Sequence, residues 1–158
     1  MDCLILVQHE DFDLQEVYAG LRAKYGSKLG ALAAFVGLVR DLNPAGANPG
    51  AVSTLTLEHY PGMTERSIRD IVDQADAKWP LLAVRVVHRV GTLLPSDQIV
   101  LVVAASAHRQ AAFAATEFIM DYLKTDAVFW KKEHTATGEH WVESTANDLR
   151  RSRDWRSG

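Results

Sequence analysis

One segment carries adjacent strand and helix signals, and it constrains the fold more than any other part of the chain. Residues 98–105 are almost wholly apolar and β-branched, a pattern that predicts a buried strand. Ser106 then offers an N-cap oxygen, and a helix is predicted over residues 108–124. A buried strand therefore leads directly into the N-terminus of a helix.

The beginning of this helix carries a histidine and an arginine, His108 and Arg109. Free backbone N–H groups and the positive end of the helix dipole already favour negative charge at such a position. The imidazole and the guanidinium strengthen that preference. We therefore expect an anion to bind here, and phosphate is the obvious candidate.

Two lysines follow, Lys124 near the predicted end of the helix and Lys131 in a predicted strand over residues 127–133. Strand alternation places Phe129 and Lys131 on the same face. A lysine that is desolvated among aromatic residues and lies near other cations is expected to have a lowered pKa. A lone Lys124 could instead complement the negative C-terminus of its own helix.

The length of the predicted helix separates the two groups of cations. At about 1.5 Å per residue, an unbroken helix puts Arg109 and Lys124 roughly 20 Å apart. Either they serve two sites, or a two-fold partner brings the His108/Arg109 end of one chain beside the Lys124/Lys131 end of the other. We favour the shared arrangement.

Length and composition limit the possible classes of protein. The chain has 158 residues, of which 47% are hydrophobic, enough for one core and too short for two comfortable ones. The formal net charge is −3 and the sequence pI is about 6.0, which argues against general binding to nucleic acid. A single domain is predicted over residues 1–145, followed by a polar, basic tail over residues 146–158 that is expected to be solvated or weakly ordered.

Nothing in the sequence favours a metal, a disulfide or a membrane. The one cysteine, Cys3, lies in an apolar run and is predicted to be a core thiol. The six histidines lack metal-ligand spacing, so neither a metal nor another cofactor is expected. No signal peptide or membrane-spanning run is present, which predicts a cytoplasmic protein without a membrane partner.

The remaining signals indicate an α+β domain with a mixed, largely antiparallel sheet. Strands are predicted over residues 4–7, 31–39, 52–60, 82–90 and 139–142, and helices over residues 13–25, capped by Asp13, and 64–78, capped by Thr64. The connection between residues 90 and 98 is too short for a crossover helix, which predicts antiparallel neighbours. Two Pro and two Gly predict a mobile loop over residues 41–50.

Four separated segments match one family pattern: FVGLVR at residues 35–40, LEHYPGM at 57–63, HRVG at 88–91, and the block over residues 106–132. Through them the chain resembles the large, catalytic subunit of molybdopterin synthase from about residue 4 to residue 143. The resemblance implies an α/β hammerhead-type fold and a homodimer of large subunits. It also implies that each protomer carries one small ubiquitin-like sulfur-carrier subunit, which makes a heterotetramer.

The resemblance further implies a sulfurtransferase. The Gly-Gly thiocarboxylate at the C-terminus of the carrier would donate sulfur, twice, to cyclic pyranopterin monophosphate and give the dithiolene of molybdopterin. The matching positions assign catalysis to Lys124 and Lys131, anion binding to Arg40, His108 and Arg109, and the lining of the pocket to Phe35 and Met120.

Several side chains also have a structural interpretation. Arg40 could form an ion pair within the protein instead of binding phosphate. Glu58 and His59 are adjacent on a predicted strand and point to opposite faces, which favours structural roles over an acid/base pair. His88 and Arg89 are interpreted as scaffold.

Two other functions remain compatible with the sequence. One is a non-catalytic dimeric module that binds a phosphorylated ligand, and the other is a lysine Schiff-base enzyme. The chain also departs from the family pattern at two positions. Val128 replaces a common proline, which could loosen the approach to Lys131, and Thr145 replaces an arginine found in some members.

Overall fold

A computed structural model of the chain describes residues 1–40, 54–135, 138–142, 144 and 146–155. The strands are β1 (Asp2–Gln8), β2 (Ala31–Leu38), β3 (Thr54–His59), β4 (Ala83–Arg89), β5 (Gly91–Leu93), β6 (Gln98–Ser106), β7 (Phe129–Thr135) and β8 (Gly138–Val142). The helices are α1 (Leu14–Tyr25), α2 (Met63–Lys78), α3 (Arg109–Leu123) and α4 (Ala146–Asp154), with a single 3-10 turn (Gly26–Lys28) after α1.

In the described residues the strands form two sheets of four. The first has the order β1-β4-β6-β2, in which β1 and β4 are parallel and the other neighbours are antiparallel. The second has the order β5-β3-β7-β8 and is antiparallel throughout. The predicted α+β class and the antiparallel pairing of the strands either side of residues 90–98 are confirmed, and β7 and β8 form an antiparallel hairpin.

The first sheet is covered on both faces, which explains why its central strand β6 is almost continuously apolar. Helices α2 and α3 pack on one face, where Phe118 and Ile119 of α3 are almost wholly buried. Helix α1 packs on the other face through Leu21. A smaller cluster beneath the second sheet contains Leu55 and Leu57. The site residues of β2, β7 and α3 are therefore attached to a rigid core.

The helix ends differ in detail from the prediction. Asp13 caps α1 as expected, because its Oδ1 accepts a hydrogen bond from the Gln15 N–H at 2.7 Å. Thr64 does not cap α2, which was a wrong prediction. Its hydroxyl instead accepts from the Tyr60 N–H at 3.0 Å and donates to the Val128 carbonyl at 2.7 Å, while the Glu65 carboxylate accepts from the N–H of the cap residue, Gly62.

Two further differences lie around β6. Its last residue, Ser106, is not the N-cap of α3, a position that His108 occupies, but its Oγ accepts from the His108 N–H at 3.1 Å. The connection between β4 and β6, for which the sequence analysis predicted only that it is too short for a crossover helix, contains the short strand β5. Local sequence could not predict β5, because a strand of three residues exists only through its pairing with β3.

Residues 146–154 form helix α4, so the expectation of a weakly ordered tail was wrong for this helix, although most of its residues are exposed as expected. Arg151 of α4 donates to Asp121 at 2.8 Å and also bonds Glu117, both of α3. The Trp155 indole donates to the other oxygen of Asp121 at 2.9 Å, and its ring packs edge-on against Trp79 and Phe118. Hydrogen bonds and aromatic burial together hold α4 against α3. The predicted loop at residues 41–50 and the Thr145 position lie outside the described residues.

Val128 stands where the sequence analysis expected a common proline, and both its backbone N–H and its carbonyl form hydrogen bonds. Its N–H donates to the Ser67 hydroxyl at 3.3 Å, and its carbonyl accepts from Thr64 at 2.7 Å. A proline could not make the first bond because it has no N–H. The start of β7 is therefore hydrogen-bonded to α2 through residue 128.

An ionic cluster at the N-terminus links β1, α1 and β4 and makes stability depend on pH. The Asp2 carboxylate accepts from Lys24 at 2.8 Å, from Arg85 and from the Tyr25 hydroxyl at 3.1 Å. The Arg85 guanidinium, followed by Lys24, holds the pKa of this carboxyl well below its usual range. The folded state is therefore favoured above the ordinary aspartate pKa of about 4, and the advantage declines as the pH falls below it.

Asp2→Asn is expected to lower the free energy of unfolding by about 1–2 kcal/mol at pH 7, because it removes charged hydrogen bonds that are partly exposed. The difference from the wild type should shrink as the pH falls below about 4. Urea unfolding at pH 7, 5 and 3 measures it, with Asp70→Asn on the exposed face of α2 as the control. A difference independent of pH would contradict the ionic origin.

Candidate active site

A cavity of about 660 Å³ lies between β2, α3 and α4. Phe35 contributes an aromatic wall from β2, and its ring is 39% exposed. Met120 contributes a largely buried thioether from α3, and Lys124 lies at the end of that helix. Three residues that the sequence assigned to the site from different segments, Phe35, Met120 and Lys124, therefore line one cavity.

Helix α3 ends at the cavity and positions Lys124. The backbone of Lys124 forms the C-cap of α3, and its carbonyl accepts from the Ser144 hydroxyl at 2.6 Å. Its side chain is 48% exposed, and the ammonium lies 3.4 Å from the Asp148 carboxylate of α4. The amine is thus accessible from the cavity and already paired with a carboxylate.

Lys131 lies on β7, directly opposite Leu57 of β3. Burial lowers the pKa of this amine, the nearby charge of Lys124 lowers it further, and the Asp148 carboxylate acts in the opposite direction. The two lysines therefore share one electrostatic environment, although they come from different elements. The predicted placement of Phe129 and Lys131 on the inner face is confirmed by the exposure of the intervening Trp130.

A buried histidine lies beside this face of β7. His88, at the end of β4, stacks on Phe129 with ring centroids 3.9 Å apart and an angle of 22° between the planes. The sequence gave no reason to place His88 near Lys131, because the contact depends on how the two sheets meet. His59 of β3 pairs with Phe129 on the same face, while Glu58 points outward.

The remaining predicted anion-binding residues are not in this cavity. His108 and Arg109 are exposed at the N-terminal end of α3, whereas Lys124 caps the other end. The helix is continuous over 15 residues, so its two ends are about 20 Å apart. Arg40 is exposed after the end of β2. Within one chain, the structure brings Lys124 together with Phe35 and Met120 in the cavity and places Lys131 where the charge of Lys124 acts on it, but it leaves the basic groups of the helix start apart.

Two side chains of the C-terminal segment line the cavity and were missed by the sequence analysis. Asp148 falls within the predicted polar, basic tail, yet it pairs with Lys124. Arg151 belongs to the same tail, and its guanidinium is bound to Asp121 and Glu117. The amphipathic spacing of α4 was the available signal, and only the packing of α4 on α3 reveals its role.

The arrangement can bind and protonate an oxygen- or sulfur-containing anion in a semi-enclosed, partly apolar space. Lys124 offers an accessible ammonium, while Lys131 offers an amine that loses its proton more readily than an ordinary lysine. Across the described residues, no group of three or more His, Cys, Asp or Glu side chains is placed to hold a metal ion. None of the described helices is long and apolar enough to cross a membrane.

Comparisons with known proteins agree with this geometry. The model of a family described as MoaE protein matches residues 7–126. The molybdopterin synthase catalytic subunit of Vibrio cholerae is 53% identical over 155 residues, which cover 98% of this chain and 99% of that protein.

Solved structures give the same relationship. A molybdopterin biosynthesis MoaE protein from Burkholderia ambifaria superposes with a TM-score of 0.81 at 49% identity, with 99% of each chain covered. A molybdopterin synthase from Staphylococcus aureus gives a TM-score of 0.73 at 29% identity, covering 87% of this chain and 95% of that one. The similarity extends over the whole fold and includes the elements that carry both lysines, and the chain therefore belongs to the MoaE family, that of the molybdopterin synthase catalytic subunit.

Proposed function

We propose that this chain is the catalytic subunit of a molybdopterin synthase. It would transfer sulfur from the thiocarboxylated C-terminus of a small ubiquitin-like carrier to cyclic pyranopterin monophosphate. The observation that supports this most directly is the pair of lysines from different elements, one accessible in the cavity and one with a lowered pKa. A simple phosphate-binding module would have no use for such a pair.

The chemistry divides between binding the reacting groups and moving protons. Each transfer exchanges one oxygen of the pterin side chain for the sulfur of the thiocarboxylate, so the carrier leaves as a carboxylate. The Lys124 ammonium, which already lies 3.4 Å from a carboxylate, is suited to orient the anionic tail of the carrier. The Lys131 amine is suited to exchange a proton with the oxygen that leaves.

The cavity supplies the rest of the binding site. Phe35 offers an aromatic surface and Met120 a polarisable thioether for the flat pterin ring. We assign the cyclic phosphate to His108 and Arg109, with Arg40 as a further cation. Because α3 separates these two residues from Lys124, the assignment requires a homodimer in which a second chain supplies them.

The proposed assembly is a heterotetramer of two such chains and two carriers, acting in the cytoplasm. Mixing the protein with a thiocarboxylated carrier and cyclic pyranopterin monophosphate should yield molybdopterin, detected as its fluorescent oxidation product. A carrier without its last two glycines should bind much more weakly, because its extended end enters the cavity. Failure to form molybdopterin with a correctly thiocarboxylated carrier would reject the proposed function.

Lys131→Ala is expected to lower turnover by about 100-fold, the usual contribution of a positioned proton-transfer group. Lys131→Arg should remain impaired, because arginine keeps the charge but does not release a proton at working pH. The matched control is Lys132→Ala, since Lys132 is the next residue on the strand, faces the other way and pairs with Glu139. Near-normal turnover by Lys131→Arg would show that charge alone suffices.

A further inference from the structure

The buried histidine His88 has a position that the fold alone does not require. Alternate residues of β4 on the face that packs against α2 and α3 are Val84, Val86 and His88. The first two are fully buried and apolar, and His88 is itself only 6% exposed. A titratable side chain thus occupies the last place in a row of core residues, where the two sheets meet.

The ring of His88 is held in one orientation and in one protonation state. Its Nδ1 lies 2.9 Å from the Arg89 carbonyl, and a carbonyl only accepts, so Nδ1 carries the hydrogen. One face of the ring lies flat on Phe129. Burial lowers the pKa of His88 to about 4, against the hydrogen bond to Arg89, so the ring is uncharged at neutral pH.

This uncharged ring is a neighbour of Lys131. Phe129, on which it stacks, precedes Lys131 by two residues and shares its face of β7. The electrostatic effect of Lys131 also reaches His88, where it lowers the histidine pKa. The lysine therefore shares its face of β7 with Phe129, on which the His88 ring is stacked, while the charge of Lys124 acts on the same amine.

We propose that His88 is a positioning residue for Lys131: its ring, held flat on Phe129 by the bond to the Arg89 carbonyl, closes the inner end of the lysine's site and excludes water from the amine. A protonated histidine here would add a second positive charge near Lys131, which already experiences the charge of Lys124. An aliphatic side chain would fill the space without the flat stacking surface. The proposal rests on the proposed function only for its effect on turnover.

Several charged or titratable groups lie around Lys131 and His88, and none of them is altered in the variants described below. Lys124 at the end of α3 and Asp148 on α4 act on the Lys131 amine. His59 on β3 acts on His88, and Glu133 lies on the same face of β7 as Lys131.

The decisive measurement is the titration of Lys131 itself. The amine is labelled with acetic anhydride over a range of pH, and the extent of labelling at Lys131 is read by mass spectrometry. In His88→Ala, water should enter and the midpoint for Lys131 should rise by about one pH unit, towards the ordinary lysine value. Turnover at pH 7 should then fall about tenfold, with an unchanged KM for the carrier, because a tenfold smaller fraction of the amine is unprotonated.

Two further variants separate an effect of His88 on the position of Lys131 from a general loss of core packing. His88→Phe keeps a flat ring on Phe129, so its Lys131 midpoint and turnover should stay within about threefold of the wild type. Val84→Ala, which removes a buried side chain from the same face of β4, should lower stability and leave the Lys131 midpoint unchanged. If His88→Ala does not fold, His88→Asn keeps a donor for the Arg89 carbonyl, removes the ring and carries the same expectation.

The outcomes distinguish the positioning role of His88 from the proposed proton transfer by Lys131. A Lys131 midpoint that stays at the wild-type value in folded His88→Ala or His88→Asn overturns the positioning role, whatever the activity. A raised midpoint with unchanged turnover supports the positioning role and argues against proton transfer by Lys131, which belongs to the proposed function.

Discussion

Lys124→Ala should lower sulfur transfer by about a thousandfold or more, the largest effect expected of any single substitution in this chain. The lysine lies at the mouth of the cavity, and its ammonium is the accessible cation that can meet the tail of the carrier. Removing it takes away both the orientation of the thiocarboxylate and a group that can exchange protons with it. Formation of molybdopterin in single-turnover assays measures the loss.

The same substitution should leave the fold and the assembly intact. The Lys124 side chain is about half exposed, and its ion pair with Asp148 is the kind of exposed contact that contributes at most about 1 kcal/mol. Thermal unfolding and affinity for the carrier should therefore match the wild type. Lys28→Ala, in the exposed turn after α1, is the control and should be fully active. Near-normal turnover by Lys124→Ala would remove the residue from the catalytic machinery.

Mixing two inactive variants, Arg109→Ala and Lys124→Ala, should restore activity that neither shows alone. The continuous helix α3 holds these residues at opposite ends, so the proposed site, which uses both, would take each from a different chain. With random exchange of subunits, about half of the dimers are mixed and each of these has one intact site. About a quarter of all sites should then be whole, and the activity should approach a quarter of the wild-type value.

The complementation experiment has its own internal control. Exchange of subunits is followed by native mass spectrometry, with one variant isotopically labelled. As a control, wild type is mixed with a doubly substituted chain, Arg109→Ala with Lys124→Ala. In these mixed dimers each shared site would lack one of the two residues, so the mixed dimers should be inactive. If mixed dimers form without recovery of activity, the sites are not shared, and Arg109 acts elsewhere.

The periodic elements could be predicted from the sequence because local patterns determine them. The buried strand before His108, the helix that ends at Lys124 and the alternation that separates Lys131 from its neighbours all depend on residues close together in the chain. The two lysines were singled out from their sequence context, whereas the pocket residues Phe35 and Met120 were assigned only through the resemblance to one family.

The contacts that complete the site could not be predicted because they join distant segments. Asp148 reaches Lys124 only because Arg151 and Trp155 fix α4 to Asp121. His88 reaches the inner side of Lys131 only because the two sheets meet at Phe129. No periodicity or cap signal encodes such pairs, since each depends on the packing of complete elements.

The backbone bond between Val128 and Ser67 has a consequence for how this chain could have diverged. The Ser67 hydroxyl receives the N–H of Val128 and donates to the Thr64 carbonyl at 2.8 Å, so it links the start of β7 to α2. Proline at position 128 would remove the N–H donor, so the Ser67 hydroxyl would keep its hydrogen bond to the Thr64 carbonyl and lose the one to residue 128. Substitutions at positions 67 and 128 are therefore expected to be coupled: the effect of either one on stability should depend on the residue at the other position.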